Sequence, residues 1–463
     1  MRAKFILPSL TEAKSPFFRP IKYSLFPPLG LATLAAYLSD SDEIILVDEH
    51  VEILKTDDEP DLVLIQVYIT NAYRAYKIAD EYRKKGVYVV LGGLHVTSLP
   101  DEAEIHADTI FLGPAEQTFP LFIEDFRKKL TKKRYISTHG RTLSLVPHPR
   151  RDLIKREKYL VPNSIVFSRG CPHHCDFCYK DAFYKGGKSF YTEYLDRILE
   201  EIHSLGGKHL YFLDDHLFGN PKLSSELFVA MKGMGRVFQG AATLESIIKS
   251  DLIEKAAEAG LGSIFIGFET FSESSLIQGN KQHNINKDYE AVVKRLHSLD
   301  IKINGSFVFG LDGDTKEVFK RTVDWGIEKG LTTATFHIFT PYPGTRLFEK
   351  METEGRIISK NWDLYDTRHT VYKLKGMQQE ELEEGYHWAY REFYTWRNII
   401  KSSNTHKEYK QKLKHFLYTG GWKKFEGFWR FIVNAGGLAV MLPVLEILID
   451  TGKEEIKNKT SIH

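Results

Sequence analysis

The stretch "SIVFSRGCPHHCDFCYK", residues 164 to 180, runs from a short β-branched strand straight into a loop that holds Cys171, Cys175 and Cys178. The chain has 463 residues and 3 cysteines, so this loop takes them all. A strand that opens into a loop of chemically specialised residues suits a parallel βα fold. In such folds function gathers past the C-terminal ends of the strands. Five further runs of the same kind follow: "HLYFLDD" (209–215), "VFQGAATL" (237–244), "SIFIGFE" (263–269), "KINGSFVFG" (302–310) and "ATFHIFTP" (334–341). Helical stretches such as "YTEYLDRILEEIHSLG" (191–206) and "DYEAVVKRLHSLD" (288–300) lie between them. Six βα units are too few for a closed eight-stranded barrel. Residues 163–375 are therefore expected to form an open, partial barrel.

Upstream, residues 1–135 show a second alternation. The apolar runs are "KFILPSL" (4–10), "EIILVDE" (43–49), "DLVLIQV" (61–67), "VYVVLGG" (87–93) and "TIFLG" (109–113). Continuous Val, Ile and Leu runs between helices predict a parallel sheet covered on both faces, here a five-stranded doubly wound domain. Prolines and charges in "LVPHPRRDLIKREKYLVP" (145–162) mark residues 136–162 as a connector. Residues 376–463 are helical and basic. "QQEELEEGYHWAYREFYTWRNIIK" (378–401) reads as one long amphipathic helix. "GWKKFEGFWRFIVNAGGLAVMLPVLEILI" (421–449) is apolar but interrupted by Arg430, Asn434, Gly436, Gly437, Pro443 and Glu446. A helical cap on the barrel is expected there, with a membrane-surface element as the alternative.

The 63 basic and 61 acidic residues nearly cancel, which argues against a broad nucleic-acid footprint. No window of about 18 uninterrupted apolar residues exists, so no transmembrane segment is expected. The N-terminus "MRAKFILPSLTEAK" lacks the apolar core and cleavage site of a secretory signal. Three cysteines at gaps of two and three residues make a poor disulfide framework. The expected location is the cytoplasm, with membrane association as a variant of it.

The cysteine spacing is C-x3-C-x2-C. Structural zinc takes four ligands, and only His173 and His174, inside the same tight loop, could complete such a set. Thiolates with an open fourth position suit a four-iron four-sulfur cluster, three irons held by protein and one left free.

This spacing, with Phe177 before the last cysteine and Tyr179 after it, resembles the radical S-adenosylmethionine (radical SAM) superfamily. The resemblance implies that Cys171, Cys175 and Cys178 hold a 4Fe-4S cluster whose free iron chelates S-adenosylmethionine. Reductive cleavage then yields a 5′-deoxyadenosyl radical. It also implies S-adenosylmethionine contacts from Phe177 and Tyr179, from Asp214 and Asp215 in "FLDDHLF", and from Glu269 in "IGFET". Ser306 and Gly310 in "GSFVFGLDGDT" (305–315) would lie beside the adenine. The family's more usual Gly-Gly-Glu is absent at Asp214–Asp215. For Asp214 and Glu269 a solvated strand end or a helix cap is the competing role.

With every cysteine in one loop, no second cysteine-held cluster and no methyl-carrying thiol can exist. A doubly wound domain ahead of such a barrel resembles the cobalamin-binding class of the superfamily, which includes the hopanoid C-2 methylases. The matching stretches are "PPLGLATLAAYL" (27–38), "VDEHVE" (47–52), "LGGLHVTSLPDEA" (91–103) and "GPAEQTFP" (113–120). The tail from Glu354 to Arg397 resembles the C-terminal part of the same class. The implied cobalamin contacts are Ser9, Leu10, Gly30, Gly92, Gly93, His95, Thr97, Gly113 and Glu116. Many cobalamin domains ligate cobalt through D-x-H-x-x-G after the first strand. Here "PSLTEA" (8–13) stands in that place, and Asp48-Glu49-His50 follows the second strand with Ile53 where glycine belongs. His50 is therefore expected to take no part.

The expected activity is methyl transfer from methylcobalamin to an unactivated carbon after hydrogen abstraction. An oxidative cyclase or rearrangement enzyme is the alternative within the class, and a non-catalytic cobalamin sensor the alternative outside it. The substrate is expected to be a small molecule, such as a lipid, an isoprenoid or a tetrapyrrole, and the electron donor a flavodoxin or ferredoxin.

Overall fold

A computed structural model describes residues 1–10, 25–138, 140–278, 281, 284 and 287–424. The N-terminal apolar runs form β1 (Arg2–Leu7), β2 (Glu43–Asp48), β3 (Leu62–Gln66), β4 (Tyr88–Gly92) and β5 (Thr109–Leu112). All pair in parallel. Successive side chains point to opposite faces. Ile6, Val63, Ile65, Val89 and Leu91 meet the Ala72–Lys84 helix on one side. Ala3, Phe5, Leu62, Leu64 and Val90 meet the helices Leu29–Ala35 and Phe119–Lys128 on the other. Burial on both faces explains why these strands read as unbroken apolar runs.

The sheet holds six strands, not the expected five. β6 (Arg134–Ile136) extends it beside β5, in the order β2-β1-β3-β4-β5-β6. β6 has three residues, and only Tyr135 is buried. Tyr135 stacks on Phe111 at 5.3 Å and donates to Asp125 at 2.6 Å. A strand this short, opened by an arginine, carries no hydrophobic period. The strand order reverses between β1 and β3, the place where doubly wound sheets open a crevice for ligands.

The second sheet is built of β7 (Ser164–Ile165), β10 (His209–Phe212), β11 (Val237–Ala242), β12 (Leu261–Glu269), β13 (Lys302–Phe309) and β14 (Thr333–Ile338). It runs β14-β13-β12-β11-β10-β7, each strand beside its predecessor in the sheet. This is the open six-stranded parallel barrel that the alternation predicted. The first strand differs from the single 164–169 run. It leaves the sheet after Ile165, and β8 (Ser168–Gly170) pairs antiparallel with β9 (Phe190–Thr192). Asp214 causes the break: its carboxylate accepts from the amides of Phe167 (3.1 Å) and Ser168 (2.5 Å), so those groups need no ladder partner.

Along β10, β11, β13 and β14 one set of side chains is buried against the surrounding helices, including Phe212, Phe238, Ile303, Phe309 and Phe336. The alternate set faces the barrel interior, where Tyr211, Gln239, Ala241, Asn304 and His337 stay half-exposed. The interior is thus lined rather than filled.

The connector is packed rather than loose. Ile154 and Tyr159 join the N-terminal core, and Tyr159 donates to Asp48 at 2.9 Å. Beyond the barrel, the expected single helix is two: Gln379–Phe393 and Trp396–Ser403. Thr395 breaks it by capping the second helix, its side chain accepting from the Asn398 amide at 3.2 Å. A third helix, Tyr409–Lys424, crosses the N-terminal ends of the barrel strands. There Thr419 donates to the Thr332 carbonyl at 2.7 Å, and Lys302 sits 5.5 Å over the Tyr418 ring. Most of the apolar stretch 421–449 lies outside the described residues.

Candidate functional site

Gly170 opens the cysteine loop at φ 77°, and a side chain there would strike the Ser189 carbonyl oxygen at 1.9 Å. The turn that follows is closed by the Cys178 amide donating to the Cys175 carbonyl at 3.0 Å. The three thiols are half-buried and unpaired by disulfides. Burial raises all three, Cys175 to about 12, while Lys180 or Lys281 pulls each down. Such sulfurs are neutral thiols at neutral pH until an electropositive partner makes them thiolates. Among the described residues no three His, Cys, Asp or Glu side chains are placed to share a single metal ion. A cluster asks for something different, one sulfur to each of three irons. The donor chemistry fits a cluster.

Around the loop the structure gathers most of the residues that the sequence singled out. Phe177 packs edge-on against Phe339 at 5.9 Å, and Tyr179 against Tyr342 at 6.4 Å. Asp215 pairs with Lys180 at 2.9 Å beside Cys171 and Cys178. Glu269 ends β12 at φ 65°, left-handed for a non-glycine residue, and forms an ion pair with Lys281. That backbone turn costs about 1–3 kcal/mol. Ser306 is buried on the inner face of β13, near the Asn304–Thr335 hydrogen bond of 3.1 Å. Gly310 closes the same strand at φ 93°, where a side chain would meet the Tyr372 hydroxyl at 2.7 Å. Asp214 stands apart from this set. Besides the two amides, the Ser168 hydroxyl donates to it at 2.5 Å, so three donors already take its oxygens. Burial still pushes its carboxyl up to about 7.

The N-terminal candidates collect at the C-terminal edge of the first sheet. Gly30 lies in the first turn of the Leu29–Ala35 helix beside Gln66, Gly92 ends β4 and Gly113 follows β5. Gly93, at φ 120°, lies so close to Val67 that a side chain would meet its carbonyl oxygen at 2.7 Å. Thr97 is tied inward: its hydroxyl donates to the Gly93 carbonyl and accepts from the Gly113 amide, both at 2.9 Å. Ser9 and Leu10 use their amides on Glu49 (3.0 Å) and His50 (3.2 Å). His50 accepts that bond at Nε2 and holds the Asp48 carboxylate at Nδ1, 2.7 Å away. Both ring nitrogens are thus engaged within the protein. His95, an expected corrin contact, is fully enclosed instead. Its ring packs edge-on to Trp362 at 5.7 Å, and Nε2 meets Glu102 at 3.1 Å.

The two edges face one another. Glu116, from the first, pairs with Arg169, two residues before Cys171, at 2.9 Å. Arg141 donates to the carbonyls of Tyr184, Lys185 and Lys188 at 2.6, 3.1 and 3.2 Å, tying the segment after β6 to the chain beyond the cysteine loop. Gly344, past β14, lies against Ser98 and Ala182. Arg169, Lys180, Lys281 and His337 were not singled out in the sequence. Arg169 and Lys180 flank the cysteines and could have been found by that adjacency; Lys281 and His337 reach the site only through folding. A groove of about 930 Å³, lined by Lys316, Phe319, Glu381 and Trp388, lies on the outer helices and shares no residue with this region.

Thiol loop, half-open barrel interior and facing sheet edge together define a cobalamin-binding radical SAM enzyme. The comparisons agree. Residues 165–326 match the Radical SAM superfamily and residues 23–123 the B12 binding domain. Bacteriochlorophyllide d C-12(1)-methyltransferase of Chlorobaculum tepidum is 32% identical over 81% of this chain and 84% of its own. Hopanoid C-2 methylase of Rhodopseudomonas palustris is 28% identical over 72% of this chain and 66% of its own. The solved structure of the cobalamin-dependent S-adenosylmethionine radical enzyme OxsB with aqua-cobalamin bound shares the fold. Its TM-score is 0.65 at 15% identity, over 92% of this chain and 72% of that one. The chain belongs to the cobalamin-binding radical SAM family and, within it, to the C-methyltransferases. Its cofactors are a 4Fe-4S cluster, S-adenosylmethionine and cobalamin. No described helix is long and apolar enough to cross a membrane.

Proposed function

We propose that this enzyme methylates an unactivated peripheral carbon of a tetrapyrrole. When bound, the reduced cluster with S-adenosylmethionine supplies a hydrogen-abstracting radical, and cobalamin supplies the methyl group. Cys171, Cys175 and Cys178 would hold the cluster. Asp215, Glu269, Ser306 and Gly310 would receive S-adenosylmethionine together with Phe177 and Tyr179. Asp214 acts behind them, fixing the chain where β7 breaks off. Lys180 and Lys281 hold Asp215 and Glu269 in place, which leaves two carboxylates oriented at the mouth of the barrel. Ser9, Gly30, Gly92, Gly93, Gly113 and Glu116 would support cobalamin from the facing edge, with Leu10, Thr97 and His95 bracing that edge from within. Phe177, Phe339 and Tyr342 present apolar surface that limits water where radical chemistry needs a dry site.

The observation that carries this proposal is the meeting of two parallel-sheet edges at the cysteine loop, tied by Glu116–Arg169. Support for a tetrapyrrole comes from the substrate named for the Chlorobaculum relative, the more similar of the two methylases compared. A flavodoxin or ferredoxin would supply the electron. The test offers reconstituted, reduced enzyme a bacteriochlorophyllide and, separately, a hopanoid, each with methyl-deuterated S-adenosylmethionine. Deuterated methyl should appear in the tetrapyrrole alone. Methylation of the hopanoid alone would refute the substrate class, and an oxidised, unmethylated product would favour cyclase chemistry.

A further inference from the structure

We infer that the helical pair Trp396–Ser403 and Tyr409–Lys424 docks on an anionic lipid bilayer surface. Residues 396–424 carry eight lysines and arginines against one acid, Glu408, although the whole chain is only +2. The rest of the chain is therefore net acidic, and positive charge is concentrated on this pair.

The pair also presents an apolar stripe. Trp396 and Ile400, 45% and 49% exposed, are one turn apart on the first helix. Tyr409, Leu413 and Leu417, 78%, 43% and 49% exposed, recur every four residues on the second. Two contacts set the register between the helices. The Ser402 hydroxyl meets His415 at 3.2 Å, and a side chain on Gly420 would touch the Trp396 ring at 3.1 Å. An antiparallel pair in that register sets Ile400 level with Leu417, which makes the two exposed rows one surface. The buried side of the pair is fixed to the barrel floor through Ser402, Thr419 and Tyr418. The stripe is therefore the outer face of a braced element.

Exposed Arg397, Lys401, Lys407, Lys410 and Lys424 border the stripe. The acids near them are few: Glu328 lies 3.8 Å from Lys401, Asp300 pairs with Lys414, and Glu408 opens the second helix. An apolar row flanked by cations is the pattern that sinks side chains into the headgroup boundary and draws anionic lipid around them. The surface lies at the N-terminal ends of the strands, opposite the cysteine loop. Docking there leaves the catalytic mouth facing the aqueous phase.

Cosedimentation of the full-length holoenzyme with vesicles tests this. Wild type should bind mixed phosphatidylcholine–phosphatidylglycerol vesicles, not phosphatidylcholine alone, and salt should release it. Lys407→Glu with Lys410→Glu should weaken binding by about tenfold or more, as the reversal of two lipid-facing charges implies. Leu413→Ser with Leu417→Ser should weaken it independently, and both variants should keep wild-type methylation in solution. Four results would overturn the inference: no binding to either vesicle, equal binding to both, binding that both variants retain, or a charge-independent dimer that buries the stripe.

Discussion

Asp214 and Asp215 are neighbours with opposite environments. Asp214 is buried and accepts from two amides and one hydroxyl; Asp215 is partly exposed and pairs with Lys180 beside the cysteine loop. Asp214→Ala leaves three buried donors without an acceptor, which costs about 1–3 kcal/mol for each that water cannot reach. It should lower the urea midpoint strongly. Asp215→Asn breaks a partly exposed pair and should change stability by less than about 1 kcal/mol. Its effect should fall on S-adenosylmethionine affinity, read by isothermal titration. The opposite pattern, a stable Asp214→Ala and an unfolded Asp215→Asn, would show that the two roles are reversed. The sequence could name this pair but could not divide it, because the partners of Asp214 lie 46 and 47 residues away. His95 teaches the same lesson: its place after β4 fits a corrin contact, yet the fold encloses the ring and turns its Nε2 onto Glu102. His50, expected to take no part, has both nitrogens engaged by Asp48 and the Leu10 amide.

At the scale of elements, the inner barrel strands were legible because both faces are constrained, one by helices and one by the interior. β6 and the split of β7 from β8 were not, since neither has a hydrophobic period and each depends on a distant partner. The break at Thr395 did have a local signal, a threonine three residues ahead of Asn398 within an otherwise helical run. The Tyr409–Lys424 helix is held partly by histidines. His406 meets His415 at 2.9 Å, His415 meets Ser402, and His297 meets the Gly330 carbonyl at 3.2 Å. Burial, reinforced by its histidine neighbours, pushes His415 down to about 3, and burial with His406 pushes His297 down to about 4. Asp300, Lys302 and Lys412 also face this cluster. A histidine whose folded value lies below its unfolded value leaves stability intact above about pH 6.5 and erodes it as pH falls toward the folded value. Between pH 7 and pH 5 each shielded ring should cost about 2 kcal/mol. Hydrogen exchange should show this helix opening before the barrel, and His415→Gln should reduce the pH dependence. Exchange in the helix that is flat from pH 7 to pH 5 would contradict this.

At the scale of the molecule, two parallel sheets turn their functional edges toward each other, with Glu116–Arg169 and the Arg141 carbonyl bonds holding them in register. The cysteine loop lies in that junction and takes all 3 cysteines, so the chain has no other thiol to hold a cluster or carry a methyl group. The methyl carrier must therefore belong to the facing domain, and the radical source to the barrel. The most direct test of this division of labour is the product ratio in a single reaction of reduced, reconstituted enzyme. Each methylated product should appear with one S-adenosylhomocysteine, from methyl loading, and one 5′-deoxyadenosine, from hydrogen abstraction, and enzyme free of cobalamin should form no methylated product. Full-rate methylation without cobalamin, or 5′-deoxyadenosine with no S-adenosylhomocysteine, would contradict it.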